Sequence, residues 1–102
     1  MINVTKNEGG VILKLNVSTL DRVNAPELRV IAAEAVDAES QWVEVNCSTL
    51  DFIDSSGVGA LLHVNNLLAQ EKRPVRLTGV SAPVLSVLEL VRVHRLFAVE
   101  PK

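Results

Sequence analysis

The stretch from Leu50 to Leu62 constrains this chain most, because it joins two apolar segments of different periodicity through a short polar turn. The residues before it alternate in polarity like a buried strand, and those after it repeat at helical spacing. The turn itself reads Asp51-Phe52-Ile53-Asp54-Ser55-Ser56-Gly57-Val58-Gly59. Serine is a favoured N-cap, since its hydroxyl accepts from free amides of the first helical turn. The sequence therefore predicts a strand–turn–helix unit whose helix is capped by Ser55 or Ser56.

The aspartates and glycines of this turn determine what it would present to a partner. Gly57 and Gly59 carry no side chain, so we expect them to leave the backbone at the start of the helix uncovered. Asp51 and Asp54 flank the serines. We therefore expect a serine hydroxyl on a rigid, exposed part of the surface, where another protein can reach and modify it.

Composition indicates a single domain, residues 1–102, with an aliphatic core. The chain has 102 residues, of which 48% are hydrophobic and only 3% aromatic. Its net charge is −2, and its longest basic cluster is the pair Lys72-Arg73. Nucleic-acid binding requires a concentrated basic footprint, so this charge pattern argues against it.

Cysteine content and apolar runs indicate the cellular compartment. The only cysteine, Cys47, lies on the apolar phase of a strand, which favours core packing, and one cysteine forms no disulfide within the chain. No basic segment followed by a long apolar one begins the chain. No apolar run approaches the roughly 20 residues that a membrane span needs. We therefore expect a cytosolic domain.

Periodicity along the chain predicts an α/β fold. Two alternating runs, Ile2–Lys6 and Val11–Val17, flank a glycine-containing turn and predict an antiparallel hairpin. Strands and helices then alternate, and parallel strands need such crossovers. Further strands are predicted at Val43–Cys47, Val75–Val80 and Phe97–Val99, and helices from Asn24, from Gly57 to about Gln70, and from Ser81. The predicted fold is a mixed sheet of about five strands, opened by a hairpin and covered by about three helices.

Local patterns give more detail for two of these helices. Asn24 is predicted to cap the first helix, with Glu27 at the capping-box position. The last helix is expected to bury Val84, Leu85, Leu88 and Val91.

Hydrolase chemistry is disfavoured by spacing. Ser56, His63 and Asp54 supply the residue types of a catalytic triad. His63 follows Ser56 by seven positions on one helix, a rise of about 10 Å, whereas a nucleophile and its base must lie about 3 Å apart. The sequence around Ser56 also lacks the G-x-S-x-G elbow. We therefore expect the protein not to be an enzyme.

No metal or cofactor is predicted. Two histidines and one cysteine, widely spaced, match no metal-ligand pattern, and the loop around Asp51 and Asp54 is too short for a calcium-binding loop of about 12 residues. The two aspartates serve equally well as turn and capping residues. An anion could bind the helix start at Gly57 and Gly59, although no Lys or Arg lies in the motif.

The segment Ile53–Gly59 resembles the STAS domain family, the fold of bacterial anti-sigma factor antagonists. The family hallmark is a strand ending in an apolar-Asp-Ser-Ser-Gly-apolar-Gly stretch that opens a helix. A fainter similarity covers the opening hairpin, Leu20-Asp21, Asn24-Ala25 and Leu96-Phe97.

The resemblance implies a phosphorylation switch without enzymatic activity. It implies that Ser56 is the phosphoacceptor of a serine-kinase anti-sigma factor, with Asp54 and Ser55 shaping the loop and Asp21 nearby. The unphosphorylated form would bind the kinase and free the sigma factor. The implied partner-binding residues are Asp21, Asp54, Ser55, Ser56, Gly57, Val58 and Gly59. Two alternatives stay open: a binding module of a transport or lipid-trafficking complex that is not phosphorylated, and a small-nucleotide sensor.

Two departures from the family pattern lead to further expectations. Ser18 stands where antagonists usually carry glycine, and the strand phase shifts there, which predicts a bulge or a one-residue insertion. The chain stops at Lys102, where many relatives continue into another helix. We therefore expect exposed apolar sheet surface, which would favour a homodimer.

Overall fold

The computed structural model describes all 102 residues and contains a five-stranded mixed sheet. The strands are β1 (Ile2–Asn7), β2 (Gly10–Leu15), β3 (Thr19–Leu20), β4 (Trp42–Asn46), β5 (Phe52–Ile53), β6 (Arg76–Val80) and β7 (Ala98–Pro101). The helices are α1 (Ala25–Ala35), α2 (Ser55–Leu67) and α3 (Ala82–Leu90). The strand order is β1-β2-β4-β6-β7, with β1 antiparallel to β2 and all other neighbours parallel. The predicted α/β fold, its opening hairpin and its three helices are confirmed.

The hairpin turn follows from two residues with positive φ. Glu8 has φ 48° and Gly9 has φ 86°, and Asn7 pairs with Gly10. Two consecutive residues in the left-handed region are typical of a type I′ turn, whose twist matches that of the flanking strands. The Trp42 indole packs directly on Gly10, so a Cβ at position 10 would collide with the ring.

The core lies between one face of the sheet and the helices. The buried strand residues are Val11, Leu13 and Leu15 of β2, Val43 and Val45 of β4, and Leu77 and Val80 of β6. Cys47 is 1% exposed, and burial raises the pKa of its thiol to about 12. The predicted aliphatic core and the buried cysteine are confirmed.

The opposite sheet face is polar near β7. Arg76 Nε donates to a Glu100 carboxylate oxygen at 3.0 Å, and Arg76 Nη2 lies 3.7 Å from Glu44. Thr78 also donates to Glu44, at 2.9 Å. This part of the sheet face is therefore charged, and the expected self-association through apolar sheet surface stays a prediction.

The short strands β3 and β5 were missed by the sequence analysis, and the predicted bulge is wrong. The hairpin pairing runs without a shift as far as Ile2 and Leu15, where β2 ends. The chain then leaves the main sheet, and Thr19–Leu20 pairs in parallel with Phe52–Ile53. The change of polar phase near Ser18 therefore coincides with a change of pairing partner, while the one-residue insertion relative to the family stays a prediction.

Helix α3 also differs from its prediction, because Val91 is 48% exposed. The helix ends at Leu90, and Arg92 adopts φ 62°. The amides of Arg92 and Val93 donate back to the carbonyls of Glu89 and Leu88, which is the Schellman pattern. This turn carries Val91 away from the buried face.

Candidate functional site

The two-residue strands β3 and β5 position the candidate site. Thr19 is opposite Phe52 and Leu20 is opposite Ile53 in a parallel register. The residues that follow, Asp21 and Asp54, therefore leave the two strands at the same edge, and the Asp54 amide donates to the Leu20 carbonyl at 3.2 Å. The segment that contains Asp21 is thus placed beside the start of α2, although the two are far apart in the sequence.

Asp54 is the N-cap of α2, so the prediction that a serine caps this helix is wrong. The backbone of Asp54 is extended, and its Oδ1 accepts from the Gly57 amide at 3.0 Å. Its carbonyl accepts from the Val58 amide at 2.9 Å. Aspartate caps as well as serine does, and its negative charge also suits the positive end of the helix dipole.

Because Asp54 does the capping, Ser55 and Ser56 become the first two residues of α2. Ser55 is exposed and Ser56 is half-buried. Neither side chain takes part in a hydrogen bond, and neither hydroxyl is among the buried unpaired groups of the chain. Both hydroxyls are therefore free for an outside molecule.

Gly57 does not leave the backbone uncovered as expected, because it is buried. A Cβ on Gly57 would lie 2.5 Å from the Leu20 carbonyl oxygen and 2.6 Å from Ile53 Cγ1. The missing side chain lets the first turn of α2 pack directly on β3. Val58 follows it into the core at 6% exposure.

Gly59 has a different environment. It is half-buried, and a Cβ there would meet only the Arg29 side chain of α1, 3.0 Å from Nη2. Of the two glycines, Gly59 is therefore the one near the surface, where α1 and α2 run side by side.

The Asp21 loop is held by reciprocal hydrogen bonds. Asp21 Oδ1 accepts from the Val23 amide at 2.9 Å and from the Asn24 amide at 3.3 Å. Asn24 Oδ1 accepts from the Asp21 amide at 2.8 Å, and its Nδ2 donates to the Thr19 carbonyl at 2.8 Å. Asn24 occupies the N-cap position of α1 as predicted but makes no capping bond, and the capping box with Glu27 is absent. The Asn24 side chain instead ties the Asp21 loop to β3.

Two exposed apolar residues border the site and were not predicted. Val23 is 83% exposed and Phe52 is 50% exposed. Phe52 points away from the core because it alternates with the buried Ile53, which is the signal that could have identified it. Together with the acidic Asp21, Asp51 and Asp54, these residues give the edge a mixed apolar and acidic character.

The surface clefts lie elsewhere. One is lined by the hairpin turn and the end of α1, and the other by the C-terminal half of α2, the segment after it and the turn before β7. No group of three or more His, Cys, Asp and Glu side chains is arranged to hold a metal ion. The site is thus an exposed surface rather than a pocket.

Removing the Asp54 cap should destabilise the fold modestly. Asp54→Ala is expected to lower the free energy of unfolding by about 1 kcal/mol, because the Gly57 amide loses its acceptor. Asp54→Asn should keep most of that stability, and Ser55→Ala should change little, since the Ser55 side chain makes no hydrogen bond. Urea unfolding followed by the fluorescence of Trp42 measures all three. Equal stability of the wild type and Asp54→Ala would contradict the assigned cap.

Residues 2–99 match the family model described as "Mlab, STAS domain". The chain therefore belongs to the STAS domain family. No curated protein matches the sequence significantly.

Solved structures show the same fold at low identity. An anti-sigma factor antagonist from Mycobacterium paratuberculosis is 18% identical with a TM-score of 0.86, covering 100% of this chain and 86% of that one. The unphosphorylated anti-sigma factor antagonist SpoIIAA is 18% identical with a TM-score of 0.71, covering 100% and 89%. The Bacillus cell fate determinant SpoIIAA in its phosphorylated form is 19% identical with a TM-score of 0.64, covering 100% and 93%. None of the helices of this chain is both long and apolar enough to cross a membrane.

Proposed function

We propose that this protein is a phosphorylation-controlled partner-switching protein of the anti-sigma factor antagonist type. In this proposal the unphosphorylated chain binds a serine-kinase anti-sigma factor, and phosphorylation of Ser56 releases it. The observation that carries the proposal is the unbonded Ser56 hydroxyl at the second position of α2, on the edge that also bears Asp21 and Asp54.

The chemistry is a phosphoryl transfer carried out by the partner. The γ-phosphoryl group of ATP moves to Ser56 Oγ: an oxygen–phosphorus bond forms there, the bond to ADP breaks, and a base of the kinase takes the hydroxyl proton. The product carries about −1.5 to −2 charges at neutral pH. These charges join those of Asp21 and Asp54 on the same edge, so a surface that accepted a neutral hydroxyl becomes strongly anionic.

The capping arrangement predicts that the switch acts on docking and leaves the fold intact. The α2 cap is made by Asp54, so modification of Ser56 breaks no hydrogen bond within the chain. Negative charge is also favourable in the first turn of a helix. The phosphorylated chain should therefore keep its structure.

The apolar residues of the edge support a protein partner. Interface energy is concentrated in a few well-packed apolar and aromatic anchors surrounded by polar contacts. Val23 and Phe52 are exposed in the segments that carry Asp21 and Asp54. Among similar structures, SpoIIAA has been solved in unphosphorylated and phosphorylated forms, which supports a switch by analogy.

Phosphorylation by a cognate kinase tests the proposal directly. The purified chain is incubated with ATP and the serine-kinase anti-sigma factor of the same genome, and the label is located by mass spectrometry. One phosphoryl group on Ser56 is expected, absent in Ser56→Ala and retained in Ser55→Ala. A label on Ser55 or Thr49 would show that another hydroxyl is the acceptor.

The family description favours a second candidate function. The matching model is described as Mlab, and the resemblance also implies STAS modules of transport or lipid-trafficking complexes. Such a module would use the same edge for docking without phosphorylation. The absence of phosphate incorporation, combined with loss of complex formation in Phe52→Ser, would favour this second function.

A further inference from the structure

The Arg29 side chain approaches α2 at Gly59 and has no hydrogen-bond or ion-pair partner within the chain. Its Nη2 is 3.0 Å from the position where a Gly59 side chain would begin, and the residue is exposed. Both salt bridges of the chain are made by Arg76, and the Arg29 side chain takes part in no hydrogen bond.

The sequence around Arg29 explains why this cation is free. On α1, the positions three and four residues away, which could hold a carboxylate, are Ala25, Pro26, Ala32 and Ala33. Helix α2 contains no Asp or Glu at all. Arg29 therefore has no anionic neighbour within either of the two helices that it touches.

Gly59 opens a path from Arg29 to Ser56. The two α2 residues are three positions apart, a spacing that places Cβ positions on one helix face about 5–6 Å from each other. Cα–Cβ bonds tilt toward the helix N-terminus, so groups at position 59 lean toward Ser56. A side chain at position 59 would meet the Arg29 guanidinium, so the glycine lets the arginine lie close to this face of α2.

We propose that the Arg29 guanidinium forms an intramolecular ion pair with the phosphoryl group of phosphorylated Ser56. This inference rests on the proposed phosphorylation of Ser56. In this proposal the phosphoryl oxygens extend the serine beyond its hydroxyl, and rotation of the flexible Arg29 side chain along α2 from Gly59 closes the remaining distance. Guanidinium binds phosphate through two parallel hydrogen bonds, which favours arginine for this role.

The pairing would add a change of shape to the change of charge. The Arg29 side chain would move from Gly59 to the first turn of α2 and cover the serines. A docking partner would then meet a phosphoryl group already bound by α1, in place of two free hydroxyls.

The test uses the chain alone, with phosphoserine genetically encoded at position 56. The second ionisation of the phosphoryl group is followed by phosphorus NMR, and the Arg29 Nε–H signal by proton–nitrogen NMR. The charged and titratable groups on the elements around it are the same in all variants compared: Asp21, Arg22, Glu27, Asp51, Asp54 and His63. We expect the phosphoryl pKa in wild type to be lower than in Arg29→Gln by about half a unit. The control Arg95→Gln, an exposed arginine outside the site, should match the wild type.

The two proposals fail through different results. An equal phosphoryl pKa in wild type and Arg29→Gln, with an unmoved Arg29 Nε–H signal, would overturn the role of Arg29. Because the phosphoserine is encoded, this result does not depend on any kinase. Failure of the cognate kinase to label Ser56 would instead overturn the proposed function, whatever the encoded phosphoserine does.

Discussion

Replacing Gly57 with alanine is expected to lower the free energy of unfolding by about 2–3 kcal/mol, since overpacking a tight contact costs that much. The added Cβ would lie 2.5 Å from the Leu20 carbonyl oxygen, which belongs to the backbone of β3 and cannot rotate away. The better helix propensity of alanine, worth about 1 kcal/mol, only partly offsets this cost. Urea unfolding monitored by Trp42 fluorescence gives the value.

Gly59→Ala is the matched control for this prediction. Its Cβ would meet only the Arg29 guanidinium, the mobile end of an exposed side chain. Its stability should equal that of the wild type or exceed it by up to about 1 kcal/mol. If both variants lose the same stability, Gly57 has no special packing role and the close approach of α2 to β3 is wrong.

The second large effect is expected in partner binding. Ser56→Asp should weaken binding of the cognate kinase at least about thirtyfold, or about 2 kcal/mol, because like charges placed together in an interface cost several kcal/mol. The new carboxylate would join Asp21 and Asp54 at the docking edge. The melting temperature should stay nearly unchanged, because the cap made by Asp54 is kept and negative charge suits the first helical turn. Calorimetric titration and thermal unfolding measure the two quantities.

Ser86→Asp provides the control for net charge. Ser86 is an exposed residue of α3, and its substitution adds the same charge outside the site. Kinase affinity should therefore stay at the wild-type value. Equal affinity of the wild type and Ser56→Asp for the cognate kinase would contradict the proposed switch.

Elements with a repeating pattern were predictable from the sequence. Alternation through β4 and the residue after it placed Val43, Val45 and Cys47 in the core, and the structure buries all three. The hairpin also carried its own turn signal in Gly9. In such elements several residues indicate the same buried face, so their spacing alone is enough to predict the strand and its orientation.

The strands β3 and β5 could not be predicted in this way. Each has only two residues, too few for a period, and the two segments lie more than thirty positions apart in the sequence. Their pairing depends on long-range backbone hydrogen bonds, such as those from Asp51 and Phe52 to the Ser18 carbonyl. The bulge predicted near Ser18 was wrong for this reason, since a phase change within one strand cannot reveal a new partner strand.

The cap of α2 shows the same limit at the scale of single residues. Asp54, Ser55 and Ser56 are all acceptable N-cap residues, so propensity alone could not choose among them. The choice was made by β5, whose pairing with β3 holds Asp54 in extended backbone and starts the helix at Ser55.

Residue order and spacing were enough to predict the α/β class, the aliphatic core and the place of a serine-bearing turn between a strand and a helix. These depend on the order and spacing of neighbouring residues, which the chain carries locally. Three contacts could be found only in the folded chain: Asp21 lies beside Asp54, Gly57 packs on β3, and the Arg29 side chain approaches α2 at Gly59. Such contacts join residues from different segments, and their positions depend on how the whole core packs.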